Sequence, residues 1–308
     1  AWALSSDTYV KRAIAEVDRE LALAGKMLKK KVSSPLAAGY RPELDGTPEL
    51  DERQASYYAS LMGVLRWCIE LGRIDIMVEV GLLARFQANP REGHLEQLFH
   101  LFAYLKKYNR SALVFDPTEP FLDESVFAEC AWKEYYPGAA EAIPPNMPEP
   151  RGKAVVTTCF VDADHAGCRL TRRSHSGVLI FVNRAPIIWY SKRQATVESS
   201  TFGSESVAMR VAIDLIEALR YKLRMMGVPI DGATKVYCDN ESVVKSTTRP
   251  ESTLKKKHNA INYHRAREAQ AAGHIRVAWI EGKENLADVL TKVLVGERRR
   301  YLLSRILW

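Results

Sequence analysis

The chain has 308 residues, of which 47% are hydrophobic and 26% charged, and it carries a formal net charge of +7 at pH 7. This is an ordinary globular balance with enough apolar side chains for a core, and the length suggests two domains. The positive charge fits a polyanionic partner such as nucleic acid, although charge alone identifies none. No apolar run is long enough to span a bilayer and no secretory signal is visible, so we expect no membrane partner.

The cysteines are odd in number and scattered, and no CxxC pair occurs. This pattern argues against a disulfide framework or a zinc site and favours a reducing compartment. The first residue is alanine rather than methionine, so we expect a fragment or a processed product. The cysteines are Cys68, Cys130, Cys159, Cys168 and Cys238.

Residues 1–115 are predicted to be mostly helical. After Ser6 and Asp7, apolar residues recur at helical spacing as far as Leu23, and a loop containing prolines follows at 32–53. Further helices are expected at 54–71, 74–88 and 92–108, and a short strand at 112–115.

Residues 116–151 differ in composition, because seven prolines and several acidic residues fall within them. Proline lacks a backbone N–H and resists both helix and strand pairing. We therefore interpret 116–151 as an exposed, protease-sensitive linker between two domains.

Residues 152–308 alternate between strand and helix patterns. An apolar strand at 154–161 is followed by a hairpin of two strands, and a long helix begins near Gly203. Short strands at 235–238 and 275–280 then alternate with helices, of which one is expected at 254–272 and the last from Leu286. Three antiparallel strands, a helix and then alternating units predict an α/β domain, a mixed sheet with flanking helices.

Four acidic residues stand where acids do not help folding. Asp162 and Asp239 each end an apolar strand, while Glu205 and Asp288 lie near the starts of two helices. In α/β folds, ligands gather at the carboxyl ends of strands, so the four carboxylates can converge there. Such clustering costs electrostatic repulsion, which a bound divalent cation relieves.

Oxygen ligands of this kind favour Mg²⁺, with Mn²⁺ as a substitute, over zinc. Two Mg²⁺ ions about 3.5–4 Å apart can activate a water and stabilise the leaving oxygen in phosphodiester hydrolysis. Each acid alone has an ordinary explanation, since an aspartate after a strand is often a turn residue and a glutamate in a first helical turn suits the helix dipole. The joint order Asp, Glu, Asp, Asp on strand, helix, strand and helix is what favours a catalytic site.

Six ordered segments of the C-terminal half resemble the motifs of ribonuclease H domains from copia-type retrotransposons, and together they span nearly all of 152–295. The segments read VDADHAG (161–167, followed by TRRS at 171–174 and SG at 176–177), WYSKRQ (189–194), VESSTFGSE (197–205), CDNES (238–242), the pairs at 257–258, 263–264 and 267–268, and LADVLTK (286–292).

This resemblance implies a ribonuclease H-like fold for 152–308 and a two-metal site formed by Asp162, Glu205, Asp239 and Asp288. It also implies a Mg²⁺-dependent endonuclease that hydrolyses the RNA strand of RNA–DNA hybrids. The expected partners are the hybrid and the remainder of the reverse transcriptase polyprotein, in a cytoplasmic virus-like particle or in the nucleus.

The N-terminal half resembles the part of the same polyproteins that follows the polymerase palm. Residues 57–67, 73–76, 90–94 and 104–107 carry this resemblance, which implies that 1–115 is a thumb and connection region. The polymerase's Asp-Asp motif is absent, so we expect no polymerase activity.

The sequence departs from the family pattern at a few positions. His165 stands where the family often has tryptophan, Cys168 where it often has aspartate, and Phe202 where many members have an additional glutamate. This leaves Glu205 as the helix ligand. The loop at 279–283 has no histidine, which bacterial and retroviral ribonucleases H place there, so proton transfer or product release is expected to differ.

Basic and polar residues near these motifs are candidates for holding the hybrid by its phosphates, a sequence-independent and salt-sensitive contact. Exposed Lys and Arg are equally often only solvated, and a basic run such as 255–258 is not favoured at a helix start unless it meets another charge. Asn240 is a candidate for contact with a ribose 2′-hydroxyl. The candidates are Arg172, Arg173, Lys192, Arg193, Asn240, Lys257 and His258.

Two other functions stay open. One is a catalytically silent connection module that only binds the template–primer duplex, against which the intact acids argue. The other is an integrase-like nuclease, whose acids commonly follow the order Asp, Asp, Glu. Here Glu205 comes second, which disfavours it.

Overall fold

A computed structural model describes residues 1–128, 132–254 and 257–307. Cys130 and the first two lysines of the basic run at 255–258 lie outside these ranges. Within them, Cys68, Cys159, Cys168 and Cys238 are buried.

The chain divides into two compact units. The helical unit comprises Trp2–Val114, Cys168–Leu170 and Lys292–Trp308. The sheet unit comprises Phe115–Gly167 and Thr171–Thr291, together with Ala1.

The helical unit is built from amphipathic helices and a two-stranded sheet. Its first helix buries Val10, Ile14, Val17 and Leu21, which recur at helical spacing on one face. The elements are β1 (Trp2–Ser5), α1 (Asp7–Leu23), α2 (Glu52–Glu70), α3 (Met77–Leu83), α4 (Glu92–Lys107) and β2 (Ala112–Phe115), and β1 pairs with β2.

The sheet unit contains a five-stranded mixed sheet. In it β3 is flanked by antiparallel β4 and by parallel β6, and the order across the sheet is β5-β4-β3-β6-β7. The strands are β3 (Thr157–Asp164), β4 (His175–Val182), β5 (Ala185–Arg193), β6 (Thr234–Cys238) and β7 (Ile275–Trp279).

Three helices cover one face of this sheet, namely α5 (Thr201–Met225), α6 (Glu241–Thr248) and α7 (Ala260–Ala271). Val161 and Val236 from the sheet pack in one core with Ala212 and Ile216 of α5, all of them almost inaccessible to solvent. Burial of such a continuous apolar face is the main stabilising contribution in a unit of this kind. The predicted fold class, a mixed sheet with flanking helices preceded by a mostly helical region, is confirmed.

Several predicted boundaries move. Strand β3 extends to Asp164, so Asp162 lies inside the strand rather than at its end. The helix expected from Leu254 begins as α7 only at Ala260, and the one expected from Leu286 is a 3-10 turn, Leu286–Leu290. Boundaries of this kind depend on tertiary packing more than on local propensity.

Part of the segment predicted as an exposed linker packs against the sheet unit, while most of its described residues are exposed. Phe127 is buried against Tyr237 with ring centroids 5.4 Å apart, and Tyr237 stacks on Phe160 at 5.1 Å, on the sheet face that α5 does not cover. Glu124 forms an ion pair with Lys235 at 2.5 Å. Proline prevents regular pairing in this segment, but it does not prevent the aromatic and acidic side chains between the prolines from packing.

The last residues of the chain also differ from the predicted domain division. The C-terminal helix α8 (Gly296–Leu303) belongs to the helical unit, where the Arg299 guanidinium is buried and donates to Glu79 Oε1 at 3.0 Å and to the backbone oxygen of Asp75. Residues 292–307 are therefore grouped with the helical unit, and the sheet unit ends at Thr291.

Among the described residues, no helix combines the length and the apolar character needed to cross a membrane.

Candidate active site

Strands β3 and β6 bring two of the predicted acids side by side. The parallel register pairs Val161 with Cys238, so Asp162 and Asp239 each follow one member of that pair. Asp162 is 1% exposed, whereas Asp239 is only partly buried and lies immediately after β6. The two carboxylates therefore reach the same edge of the sheet from neighbouring strands.

Two groups of side chains at this edge have the spacing of metal ligands. Asp162, Asp239 and Asp288 each offer an oxygen, and these oxygens lie within 4.8 Å of one another. Glu205, Cys238 and Asp239 form a second group within the same limit. Asp239 belongs to both groups, so the four acids predicted from the sequence are brought together around it.

Glu205 reaches the site from the first turns of α5. Ser200 caps this helix by accepting a hydrogen bond from the backbone N–H of Gly203 at 3.3 Å. Glu205 is 6% exposed.

Asp288 is carried by the 3-10 turn that lies against β4. A Cβ atom at Gly177, which pairs with Asp162, would meet Thr291 Cγ2 at 2.6 Å and the backbone oxygen of Ala287 at 3.0 Å. Only glycine at this position lets the turn come so close to the sheet. This close approach places Asp288 beside Asp162.

Two polar residues fix this arrangement and had no role in the sequence analysis. Thr291 Oγ1 donates to a carboxylate oxygen of Asp162. Asn285 is fully buried, and its amide nitrogen donates to the backbone oxygen of Val161 at 3.0 Å while its amide oxygen accepts from Ala287 N at 3.1 Å. Thr291 lies in the segment 286–292 that carried the family resemblance and Asn285 directly precedes that segment, but only the fold reveals what they contact.

The pKa of the Cys238 thiol reflects the negative charge of the acids around it. Burial raises its pKa well above the ordinary value, and the negative charges of Glu205, Asp239 and Asp162 raise it further. The acids thus concentrate negative potential at one place in a low-dielectric surrounding, which is where a divalent cation is most strongly stabilised.

The donor set fits a hard divalent cation. The group formed by Asp162, Asp239 and Asp288 consists entirely of carboxylates, which suit Mg²⁺ or Mn²⁺ better than zinc. The four carboxylates lie within β3, directly after β6, on α5 and on the 3-10 turn, and such regular elements hold ligands more precisely than loops do.

Asp164 lies on the same strand as Asp162 but belongs to neither ligand group among the described residues. It shares a sheet face with Asp162, because residues two apart in a strand point the same way. Its carboxylate instead lies against Gly167, where a Cβ atom would come within 1.8 Å of Oδ2. Asp164 therefore shapes the turn after β3.

The candidate phosphate contacts occupy two places in the sheet unit. Arg172 and Arg173 lie in the connection between β3 and β4, and Lys192 and Arg193 lie at the end of β5. Arg172 and Lys192 are exposed, while Arg173 and Arg193 are partly buried. Since β4 and β5 pair so that His175 faces Arg193, the two basic pairs lie at the same end of these strands.

The remaining candidates have local partners. Asn240 caps α6, because its Oδ1 accepts from the backbone N–H groups of Ser242 at 3.1 Å and Val243 at 3.2 Å. Lys257 and His258 are exposed, and His258 Nε2 lies 3.7 Å from a carboxylate oxygen of Glu198. Helix capping accounts for Asn240 without a nucleic-acid contact, whereas the exposed pair is accessible to a ligand.

The fold and the site define a class of protein with a mixed α/β sheet and a cluster of carboxylates at the ends of its central strands. No family model matches the chain. Among solved structures, the N-terminal RNase H domain of a Mycobacterium tuberculosis protein is 13% identical, covers 49% of this chain and 98% of its own, and has a TM-score of 0.35.

Curated relatives identify the group of proteins that the chain resembles. The retrovirus-related Pol polyprotein from transposon TNT 1-94 of Nicotiana tabacum is 26% identical over 295 residues, which is 94% of this chain and 19% of the relative. The Pol polyprotein from transposon RE1 of Arabidopsis thaliana is 25% identical over 275 residues, which is 89% of this chain and 16% of the relative. The predicted resemblance to the Pol polyproteins of copia-type retrotransposons is thereby confirmed, and the chain spans less than a fifth of the length of these relatives.

Proposed function

We propose that the sheet unit is a ribonuclease H that hydrolyses the RNA strand of RNA–DNA hybrids with the help of two Mg²⁺ ions, for which Mn²⁺ can substitute. One observation carries the proposal, namely two groups of ligand atoms, each within 4.8 Å, that share Asp239. Similarity to retrotransposon Pol polyproteins over about nine tenths of the chain supports it.

In this proposal Asp162, Asp239 and Asp288 hold one ion, and Glu205 and Asp239 hold the other. Bound Mg²⁺ supplies an activated water and neutralises charge on the leaving oxygen. Thr291 and Asn285 keep Asp162 and the turn of Asp288 in place before the substrate arrives. Such preorganisation is what allows a site to stabilise charge as it develops.

The protein's basic side chains would hold the hybrid. Arg172, Arg173, Lys192 and Arg193 are placed to contact phosphates, and Lys257 and His258 form a second exposed basic pair. These contacts would position the duplex without reading its sequence, so that the acids meet whichever phosphodiester lies at the site.

Cleavage of a labelled RNA–DNA hybrid tests the proposal directly. With Mg²⁺ the full chain should cut the RNA strand internally, and with EDTA it should not. Matched DNA–DNA and RNA–RNA duplexes serve as controls and should stay intact. Hybrid binding without cleavage under all of these conditions would instead support the catalytically silent module.

A further inference from the structure

The connection from β5 to α5 begins with Gln194, a buried glutamine beside the first turns of α5. The residue directly follows β5, and its side chain is 5% exposed. Its backbone N–H donates to Ser174 O at 2.8 Å, so the main chain is itself fixed against the start of β4. Its side-chain amide therefore lies in the protein interior on a fixed backbone.

The amide nitrogen of Gln194 joins α5, which carries Glu205, to β4, the strand that pairs with the strand of Asp162. It donates to Ser176 Oγ on β4 at 2.9 Å and to the backbone oxygen of Ser204 on α5 at 2.8 Å. Ser204 directly precedes Glu205 in the chain. Ser176 directly precedes Gly177, the residue that pairs with Asp162 across β3 and β4. One amide group thus spans the neighbours of two of the proposed ligands.

The amide oxygen of Gln194 indicates why a glutamine, rather than an apolar residue, occupies this position. The amide oxygen of Gln194 is buried and has no hydrogen-bond partner among the described residues. Burying an unsatisfied acceptor is unfavourable, so an apolar side chain of similar size would suit folding better. The two hydrogen bonds that its nitrogen donates are the interactions that glutamine supplies and an apolar residue does not.

Ser204 is held from a second direction. Its hydroxyl donates to Thr201 O at 2.9 Å and lies 3.3 Å from His165 Nδ1, in the turn after β3. The first turns of α5 are therefore tied to the ends of both β3 and β5. Without these ties the helix could shift by a fraction of an ångström, and Glu205 would move relative to Asp239.

We propose that Gln194 is a positioning residue that fixes the first turns of α5 against β4 and thereby sets the distance between the carboxylates of Glu205 and Asp239. The inference rests on the proposed metal site. It assigns Gln194 no contact with substrate or metal. Its effect is on how well the carboxylates are arranged for a cation.

Mn²⁺ titration of the full chain without nucleic acid, followed by calorimetry, tests this inference. Gln194→Met keeps the size of the side chain and removes the donated hydrogen bonds. We expect it to weaken Mn²⁺ binding by roughly tenfold, as loss of a residue that orients a metal ligand commonly does. Gln270→Met is the matched control, because Gln270 is also a buried glutamine with an unsatisfied amide oxygen but lies on α7. Its Mn²⁺ affinity should equal that of the wild type.

Ser176→Ala is a gentler second variant, since it removes one of the two acceptors and leaves the bond to Ser204. It should weaken Mn²⁺ binding by a smaller factor, about threefold, in the same direction. Wild-type affinity in folded Gln194→Met or Ser176→Ala, with only the melting temperature lowered, would overturn the inference and leave the metal site standing. Failure of the wild type to bind Mn²⁺ would overturn the proposed site and this inference with it.

Discussion

Each of the two units buries acidic side chains, but the charges around them are arranged differently. In the helical unit, acids alternate with arginines: Arg73 donates two hydrogen bonds of 2.8 Å to the carboxylate of Asp75, and Arg299 contacts Glu79 at 3.0 Å. In the sheet unit, oxygens of Asp162, Asp239 and Asp288 lie within 4.8 Å of one another.

This difference is what we expect if one cluster stabilises the fold and the other, as proposed, binds a cation. Alternating charges attract, so the guanidinium of Arg73 holds the pKa of Asp75 below its ordinary value even though burial alone would raise it. Carboxylates grouped with one another repel, and such grouping is kept where a cation is to be bound. Replacing one acid by its amide should therefore have opposite consequences in the two units.

The largest expected effect is on cleavage. Asp239→Asn should reduce hybrid cleavage by on the order of a thousandfold, because Asp239 belongs to both ligand groups. The melting temperature of the metal-free protein should stay the same or rise, since repulsion is removed. Cleavage rates and thermal melts of the same preparation check both parts. Equal cleavage by wild type and variant would contradict the proposed site.

The opposite consequence is expected in the helical unit. Asp75→Asn removes the carboxylate that accepts from Arg73 and from Tyr104, whose hydroxyl lies 3.0 Å away. Breaking a buried ion pair by removing one partner costs about 3–5 kcal/mol. The midpoint of urea unfolding should therefore move to a clearly lower urea concentration. A variant as stable as the wild type would show that this cluster contributes little to folding.

The third prediction concerns the segment 116–151. The guanidinium groups of Arg220 and Arg224 hold the pKa of Glu141 at about 2, although burial alone would raise it. A carboxyl whose pKa is lowered on folding stabilises the protein above its unfolded pKa. That stabilisation is lost as the pH falls from about 4.5 toward 2.

Glu141→Gln should therefore be less stable than the wild type at neutral pH, by about 1–3 kcal/mol, and the difference should shrink in acid. Glu124→Gln is the control, because Glu124 is 57% exposed in its pair with Lys235. This substitution should lower the free energy of unfolding by less than about 1 kcal/mol. Urea unfolding at several pH values measures both. A constant difference across this pH range would contradict the assignment.

The smallest expected effect is on hybrid binding. Lys192→Ala should weaken binding of the hybrid a few-fold and reduce the salt dependence of the affinity by about one phosphate contact. Lys245 is an exposed lysine paired with Glu241 on α6, so Lys245→Ala is a matched control that should bind normally. Filter binding at several salt concentrations distinguishes the two variants. An unchanged salt slope in Lys192→Ala would mean that this lysine is only solvated.

Much of the fold could be predicted from the sequence, because periodic apolar patterns mark long elements such as α1, α5 and β4 well. The four acids could be proposed together because each follows or begins such an element. The packing of 116–151 could not be predicted, since composition shows that prolines exclude regular structure but not where Phe127 and Glu141 find partners. The same holds for Gln194, whose two acceptors lie 18 and 10 residues away in the chain.

Anomalous diffraction from crystals of the full chain with Mn²⁺ and a non-cleavable hybrid is the most direct test of the central claim. The account predicts two Mn²⁺ peaks, both within coordination distance of Asp239, one shared with Asp162 and Asp288 and the other with Glu205. Hybrid bound in the crystal with no Mn²⁺ at these carboxylates would contradict it.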